Sequence, residues 1–128
     1  MSAIERFGSG GPWEHVIGYC RVVKAGPFLL TAGCTSTVDG RVTHPGDPAG
    51  QAREAFTIAL TALARAGAAR EDVVRTRMYI TDQAHADAVG GVHAEFFRDV
   101  RPVASMFVVA GFLDPAMLFE VEVEAYKP

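Results

Sequence analysis

Alternation is cleanest near the end of the chain. In Phe119-Glu120-Val121-Glu122-Val123-Glu124 apolar and acidic residues exchange at every step. That is the period of a strand with one face buried and the other polar, and the spacing predicts a strand over 118–125. Residues 73–80 alternate in the same way and are rich in β-branched side chains, which predicts a second strand. A further strand is expected at 104–110, with Asp114-Pro115 in the turn before the last one. Upstream, 19–24 and 28–33 read as a strand pair around the tight turn Ala25-Gly26-Pro27. Val38-Asp39-Gly40-Arg41-Val42 sets an Asp-Gly turn between β-branched residues, the signature of a second hairpin.

Two stretches switch to helical spacing. Phe56, Ala59, Leu60, Leu63 and Ala66 form one apolar stripe, so a helix is predicted over 48–66. Asp47 is its cap, Pro48 its first residue and Gly67 its left-handed terminator. Thr81-Asp82 offers a cap for a second helix over about 83–98, with Val89, Val92, Phe96 and Val100 facing inward. Gly90-Gly91 falls in its middle, at about 1 kcal/mol each relative to alanine, so a close approach by another backbone or a ligand is expected there. Arg101-Pro102 ends that helix. Gly8 to Pro12 reads as a loop. Without repeats or linkers, the pattern predicts one domain over 1–128, α+β, with a mixed sheet and both helices packed on one face.

Composition narrows the function classes. The chain has 128 residues and a net charge of −3, with acidic and basic residues interspersed. That argues against binding a phosphate backbone, and no nucleic-acid partner is expected. No apolar run approaches the length of a membrane span, and the N-terminus lacks the pattern of an export signal. A cytoplasmic location and free thiols at Cys20 and Cys34 are expected.

Few side chains announce chemistry. Glu122 and Glu124 read as partners for Arg75 and Arg77, which alternate along their own strand. The four histidines form no ligand pair, so no metal is expected. His93, beside an apolar stripe, reads as a packed core or interface histidine, and His44, before Pro45-Gly46, as a loop residue able to reach a ligand. Cys34 has no sequence neighbour to lower its pKa, and both cysteines read as small, half-buried residues. There is no phosphate-binding or dinucleotide-binding loop and no nucleophile elbow.

Several short stretches, taken in order and spacing, resemble the Rid (YjgF) family over about residues 12–126. They are Gly18-Tyr19, Leu30-Thr31-Ala32-Gly33, Gln51-Ala52-Arg53-Glu54-Ala55, Ala66-Gly67-Ala68, Asp72-Val73-Val74-Arg75-Thr76, Glu95-Phe96-Phe97, Arg101-Pro102 and Glu120-Val121-Glu122. The resemblance implies a chorismate-mutase-like subunit that assembles as a homotrimer, with clefts between subunits. It also implies hydrolysis of reactive imines and enamines to carbonyl compounds and ammonia, without metal or organic cofactor.

Carried over by position, the resemblance makes Tyr19 the aromatic residue of the site and Glu120 the carboxylate that orients water. The substrate-binding turn falls on Thr31-Ala32-Gly33, with alanine in place of serine. The family's helix asparagine falls on Gly90. Its arginine falls on Ala104, within Pro102-Val103-Ala104-Ser105, and the cysteine two residues later becomes Met106. A guanidinium grips a carboxylate by two hydrogen bonds, and alanine has no donor. The site therefore reads as wider and suited to a bulkier, less anionic ligand. Arg21, two residues from Tyr19, is a candidate replacement anchor if that segment is a strand. Three functions compete: an imine or enamine deaminase with a non-standard substrate, a trimer that binds a small molecule without turning it over, and, ranked last, an endoribonuclease or translation inhibitor.

Overall fold

A computed structural model describes residues 3–128. In chain order the elements are β1 (Ile4–Phe7), α1 (Pro12–Ile17), β2 (Val22–Ala25), β3 (Phe28–Thr31), β4 (Thr37–Val38), β5 (Arg41–Val42), α2 (Pro48–Arg65), β6 (Val73–Ile80), α3 (Ala86–Phe97), β7 (Val103–Val108) and β8 (Phe119–Tyr126). Six strands make one sheet in the order β1-β2-β3-β8-β6-β7, while β4 and β5 pair separately. All neighbours in the sheet are antiparallel except β6 and β7. A parallel pair needs a crossover connection, and α3 supplies it.

The expected mixed sheet with α2 and α3 on one face is present. The helix face of β8 presents Phe119, Val121, Val123 and Ala125, all at 0% exposure, against Phe56, Ala59 and Leu63 of α2. Val89, Val92 and Phe97 of α3 complete this core. Asp47 caps α2 by accepting from Gly50 N at 3.0 Å. Asp39 and Gly40 both take positive φ, 52° and 77°, as the turn between β4 and β5 requires.

Gln51 carries a polar link through this apolar layer. It is fully buried, donates through Nε2 to Ala116 O at 2.9 Å and His44 O at 3.3 Å, and accepts at Oε1 from Leu118 N at 2.8 Å. The link fixes the entry into β8 from the first turns of α2.

Several expectations need correction. The loop expected over Gly8–Pro12 is present up to Gly11, but the strand β1 before it and the helix α1 that begins at Pro12 were not foreseen. The four residues of β1 are too few to show a period. Residues 19–21 are not strand: α1 ends at Gly18, in the left-handed region at φ 89°, and Tyr19 N still bonds to Glu14 O at 2.9 Å, so β2 begins only at Val22. β3 stops at Thr31, and α3 begins at Ala86 after a short 3-10 turn over Gln83–His85. Within α3, Phe97 is buried and Phe96 only partly so. A methyl group at Gly90 or Gly91 would meet nothing within 4 Å, so the close approach expected there does not occur within the chain.

The opposite sheet face is not covered by α2 or α3, and at its β1–β3 end Glu14 and His15 of α1 share a groove with Arg6, Val23 and Leu30. Ile4, Phe28, Leu30, Tyr126, Val103 and Phe107 are exposed on it. Between them lies a polar band in which Arg77 meets Glu124 at 2.9 Å, Arg75 meets Glu124 at 3.6 Å, and Tyr79 donates to Glu122. The pairing read for Glu124 is therefore present, and Glu122 takes a tyrosine instead. That bond, with burial behind it, pushes the Tyr79 phenol up to about 12. No helix among the described residues is long and apolar enough to cross a membrane.

Candidate functional site

Near Glu120 the sheet ladder breaks and reforms. β3 pairs with β8 as far as Leu30 opposite Glu124. Thr31 then turns its side chain to β8, and Oγ1 accepts from Val123 N at 3.0 Å. Pairing resumes at Cys34, whose N donates to Val121 O at 2.8 Å and whose O accepts from Val121 N at 2.9 Å. Ala32 and Gly33 arch between these anchors. Gly33 lies hard against Glu120: a Cβ built on it would sit 2.6 Å from the carboxyl carbon and 2.8 Å from each carboxyl oxygen. Only glycine leaves that carboxylate its place.

Burial raises the Glu120 pKa, and the charge of Glu122 beside it adds to the rise, while Arg21 opposes it. The result is a half-buried carboxylate held above its ordinary range.

Arg21 comes from the bend before β2. Its Nη1 donates to Gly33 O at 2.7 Å and lies 3.7 Å from Cys34 Sγ. Its guanidinium carbon sits 5.7 Å from the Tyr19 ring centroid, and Nη2 is 4.0 Å from Glu14. With its side chain 14% exposed, the guanidinium faces its own chain. Cys34 thus has a cationic neighbour that its sequence neighbours did not reveal. Burial nonetheless pushes its thiol up, with Arg21 working against the rise, so Cys34 is a buried thiol and no ready nucleophile.

Glu14 is a participant that sequence reasoning missed. It receives Ser9 N, Ser9 Oγ and Gly11 N. Burial acts to raise its pKa, but these bonds and the Arg21 charge hold it below the usual carboxylate range. A signal was available, because Pro12 at the first helical position with an acidic residue two places later marks a helix start.

A groove of about 680 Å³ runs beside this cluster, lined by Arg6, His15, Tyr19, Leu30, Thr31 and Ala32 among others; Glu120 is not in its lining. Tyr19, Arg21, Thr31, Ala32, Gly33 and Glu120 are thus gathered in one region. Gly90, Ala104, Ser105 and Met106 are not. Ala104 pairs with Thr76 and Met106 with Met78, which puts both on the helix face of β7. Ser105 is on the open face opposite Arg77, across β6 from Glu122. Gly90 lies on α3.

His93 is a packed histidine: Nε2 is 2.8 Å from Thr76 Oγ1, its ring meets Phe56 and Phe97, and burial lowers its pKa. His44 sits 3.9 Å from Glu54, beside a shallow depression of about 190 Å³. Among the described residues no group of three or more His, Cys, Asp and Glu is placed to hold a metal.

The family model described as Endoribonuclease L-PSP, which covers the YjgF and Rid proteins, matches residues 13–127. The chain belongs to the YjgF/Rid family. It is 42% identical over 125 residues to an uncharacterized protein of Streptomyces coelicolor, covering 98% of this chain and 93% of that protein. It is 33% identical over 104 residues to the 3-aminoacrylate deaminase RutC of Acinetobacter baylyi, covering 80% of this chain and 82% of RutC. Among solved structures, the YjgF-family member Rv2704 of Mycobacterium tuberculosis superposes with a TM-score of 0.87 at 41% identity, covering 96% of this chain and 98% of that one. The match extends to the mixed α+β fold of a sheet with three helices.

Proposed function

We propose that the chain hydrolyses an imine or enamine to a carbonyl compound and ammonia, with Glu120 as the proton-transferring carboxylate. The observation that carries this reading is the seat of Glu120. It is half-buried, packed on the bare Cα of Gly33 and raised in pKa by burial and by Glu122. In the reaction Glu120 accepts a proton from water as the oxygen bonds to the C=N carbon. Glu120 returns that proton to the nitrogen to give a neutral carbinolamine, then passes the adduct's hydroxyl proton to the nitrogen as the C=O bond forms and the C–N bond breaks, so that ammonia leaves; an enamine enters as its imine tautomer. Similarity to a protein named 3-aminoacrylate deaminase supports this chemistry.

Ala104 and Met106 lie on the opposite sheet face from Glu120, with β6 between their strands. One chain therefore cannot bring them to one ligand. A site holding both needs a second copy of the chain, which is the reason to propose a homotrimer with the substrate between subunits. Without a guanidinium at position 104, that site favours a bulkier, less anionic substrate than a small α-imino acid.

A second reading has its own support: Ala32, Gly90 and Ala104 carry no polar side-chain atom, which suits a trimer that holds a ligand without turning it over. An endoribonuclease, the activity in the family model's description, is disfavoured by the net charge of −3 and by the pairing of Arg75 and Arg77 with Glu124 on the open sheet face. The test is carbonyl release from freshly generated imines of graded size, comparing wild type with Glu120→Ala and Ala104→Arg. Activity lost in Glu120→Ala supports the deaminase. An inactive wild type that gains activity in Ala104→Arg favours the binding protein. A solution mass near one subunit, 13.7 kDa, would overturn the site between subunits.

A further inference from the structure

The sequence offered Arg21 as a substitute anchor for a substrate carboxylate. The structure gives that guanidinium other work. Its Nη1 is committed to Gly33 O at 2.7 Å, its Nη2 faces Glu14 at 4.0 Å, and its side chain is only 14% exposed. Gly33 in turn is the residue against which the Glu120 carboxylate rests.

We propose that Arg21 is the positioning residue of the Glu120 site: its guanidinium holds the Ala32–Gly33 arch by the Gly33 carbonyl and sets its charge beside the seat of the Glu120 carboxylate. The proposal rests on the reading of Glu120 as the proton-transferring group. Three observations carry it. Both residues of the arch are tied to Arg21: Ala32 N donates to its backbone O at 2.8 Å, and the Gly33 carbonyl receives its guanidinium at 2.7 Å. A charge-assisted bond to a backbone carbonyl is among the stronger contacts available to it. Arg21 is itself braced: its backbone N donates to Phe7 O at 2.9 Å and its O accepts from Ala32 N at 2.8 Å, while Glu14, held by Ser9 and Gly11, faces the guanidinium.

The groups acting on Glu120 can be named. Glu122 on its own strand raises its pKa, and Arg21 is the one cation opposing that rise. Tyr79 is its partner on β6, neutral at ordinary pH because its phenol is pushed up to about 12. Cys34 on the other side is a buried thiol pushed up by burial.

The experiment follows the Glu120 carboxyl by carbon-detected NMR titration in the full chain, with Arg21→Gln and Arg21→Lys beside wild type. Carbonyl release is measured against pH in parallel. In Arg21→Gln the titration is expected to move up, the acid limb of kcat to move with it, and kcat to fall about tenfold or more with KM little changed. Arg21→Lys keeps the charge and is expected to hold the titration near wild type while recovering part of kcat. A Glu120 titration unmoved in folded Arg21→Gln overturns the proposal, and so does a titration moved as far by lysine as by glutamine. The titration needs no substrate. Failure of the functional reading, seen as hydrolysis indifferent to Glu120→Ala, is therefore distinguishable from failure of the role given to Arg21.

Discussion

Replacing Gly33 by alanine separates the stability of this chain from its chemistry. The added Cβ would stand 2.6 Å from the Glu120 carboxyl carbon, about 1 Å inside ordinary carbon–carbon contact. What it meets is the end of a flexible side chain, so Glu120 can swing aside at about 0.5–1.5 kcal/mol for an unfavourable rotamer. Gly33 does not have positive φ, so alanine recovers about 0.4–1 kcal/mol by restricting the unfolded chain. The two nearly offset, and thermal unfolding should move by no more than about 5 °C. The carboxylate, however, is displaced from its seat, and loss of a positioned acid–base group costs about 10²–10⁴ in rate. The assay is carbonyl release from fresh imine, with circular dichroism melting on the same samples. A folded Gly33→Ala that retains wild-type turnover would refute the assignment of Glu120 and its seat together. A variant that melts far lower would refute the reasoning that the clash is relieved by the side chain alone.

Gln51→Leu should cost about 2–4 kcal/mol in urea unfolding, because Leu118 N and Ala116 O lose their buried partner; a midpoint unchanged from wild type would contradict the link described for it. His93 has a folded pKa below its ordinary 6.5 because burial disfavours the imidazolium. Below about pH 6.5 the unfolded chain therefore takes up a proton that the native chain resists, and stability falls as pH falls. His93→Gln should flatten that slope in melts recorded from pH 7.5 to 5, and an unchanged slope would place the proton uptake elsewhere.

The fold was legible where pattern and length were both sufficient. The eight residues of β8 and of β6 show their period, and α2 has a cap, a first-turn proline and a terminating glycine. β1 was not legible, and α1 carried only a start signal, Pro12 with Glu14 two places on. Four and six residues are too short to display a period, and β1 is defined by pairing with β2. Residues 19–21 looked like strand by content, but the end of α1 holds Tyr19 in a bend. The site was legible only in part. Family resemblance pointed to Glu120, Tyr19 and the Thr31–Gly33 turn, which the fold does gather. What spacing alone could not reveal was twelve residues of separation closed by one hydrogen bond, Arg21 to Gly33 O. Nor could it show that β6 separates Ala104 from Glu120, since sheet order is a property of the whole chain.

The edge strand β7 has a consequence for the life of the chain before it finds any partner. Val103-Ala104-Ser105-Met106-Phe107-Val108 has no charge and no proline, and Val103, Phe107 and Val108 are 59%, 46% and 57% exposed at the border of the sheet. Such an edge is a template for strand addition by any similar chain. Arg101 and Pro102 directly before it act as gatekeepers, the one by charge and the other by withholding a backbone donor. This exposed strand is thus where a crowded, newly made population would be lost to aggregation, and the two residues ahead of it set the balance.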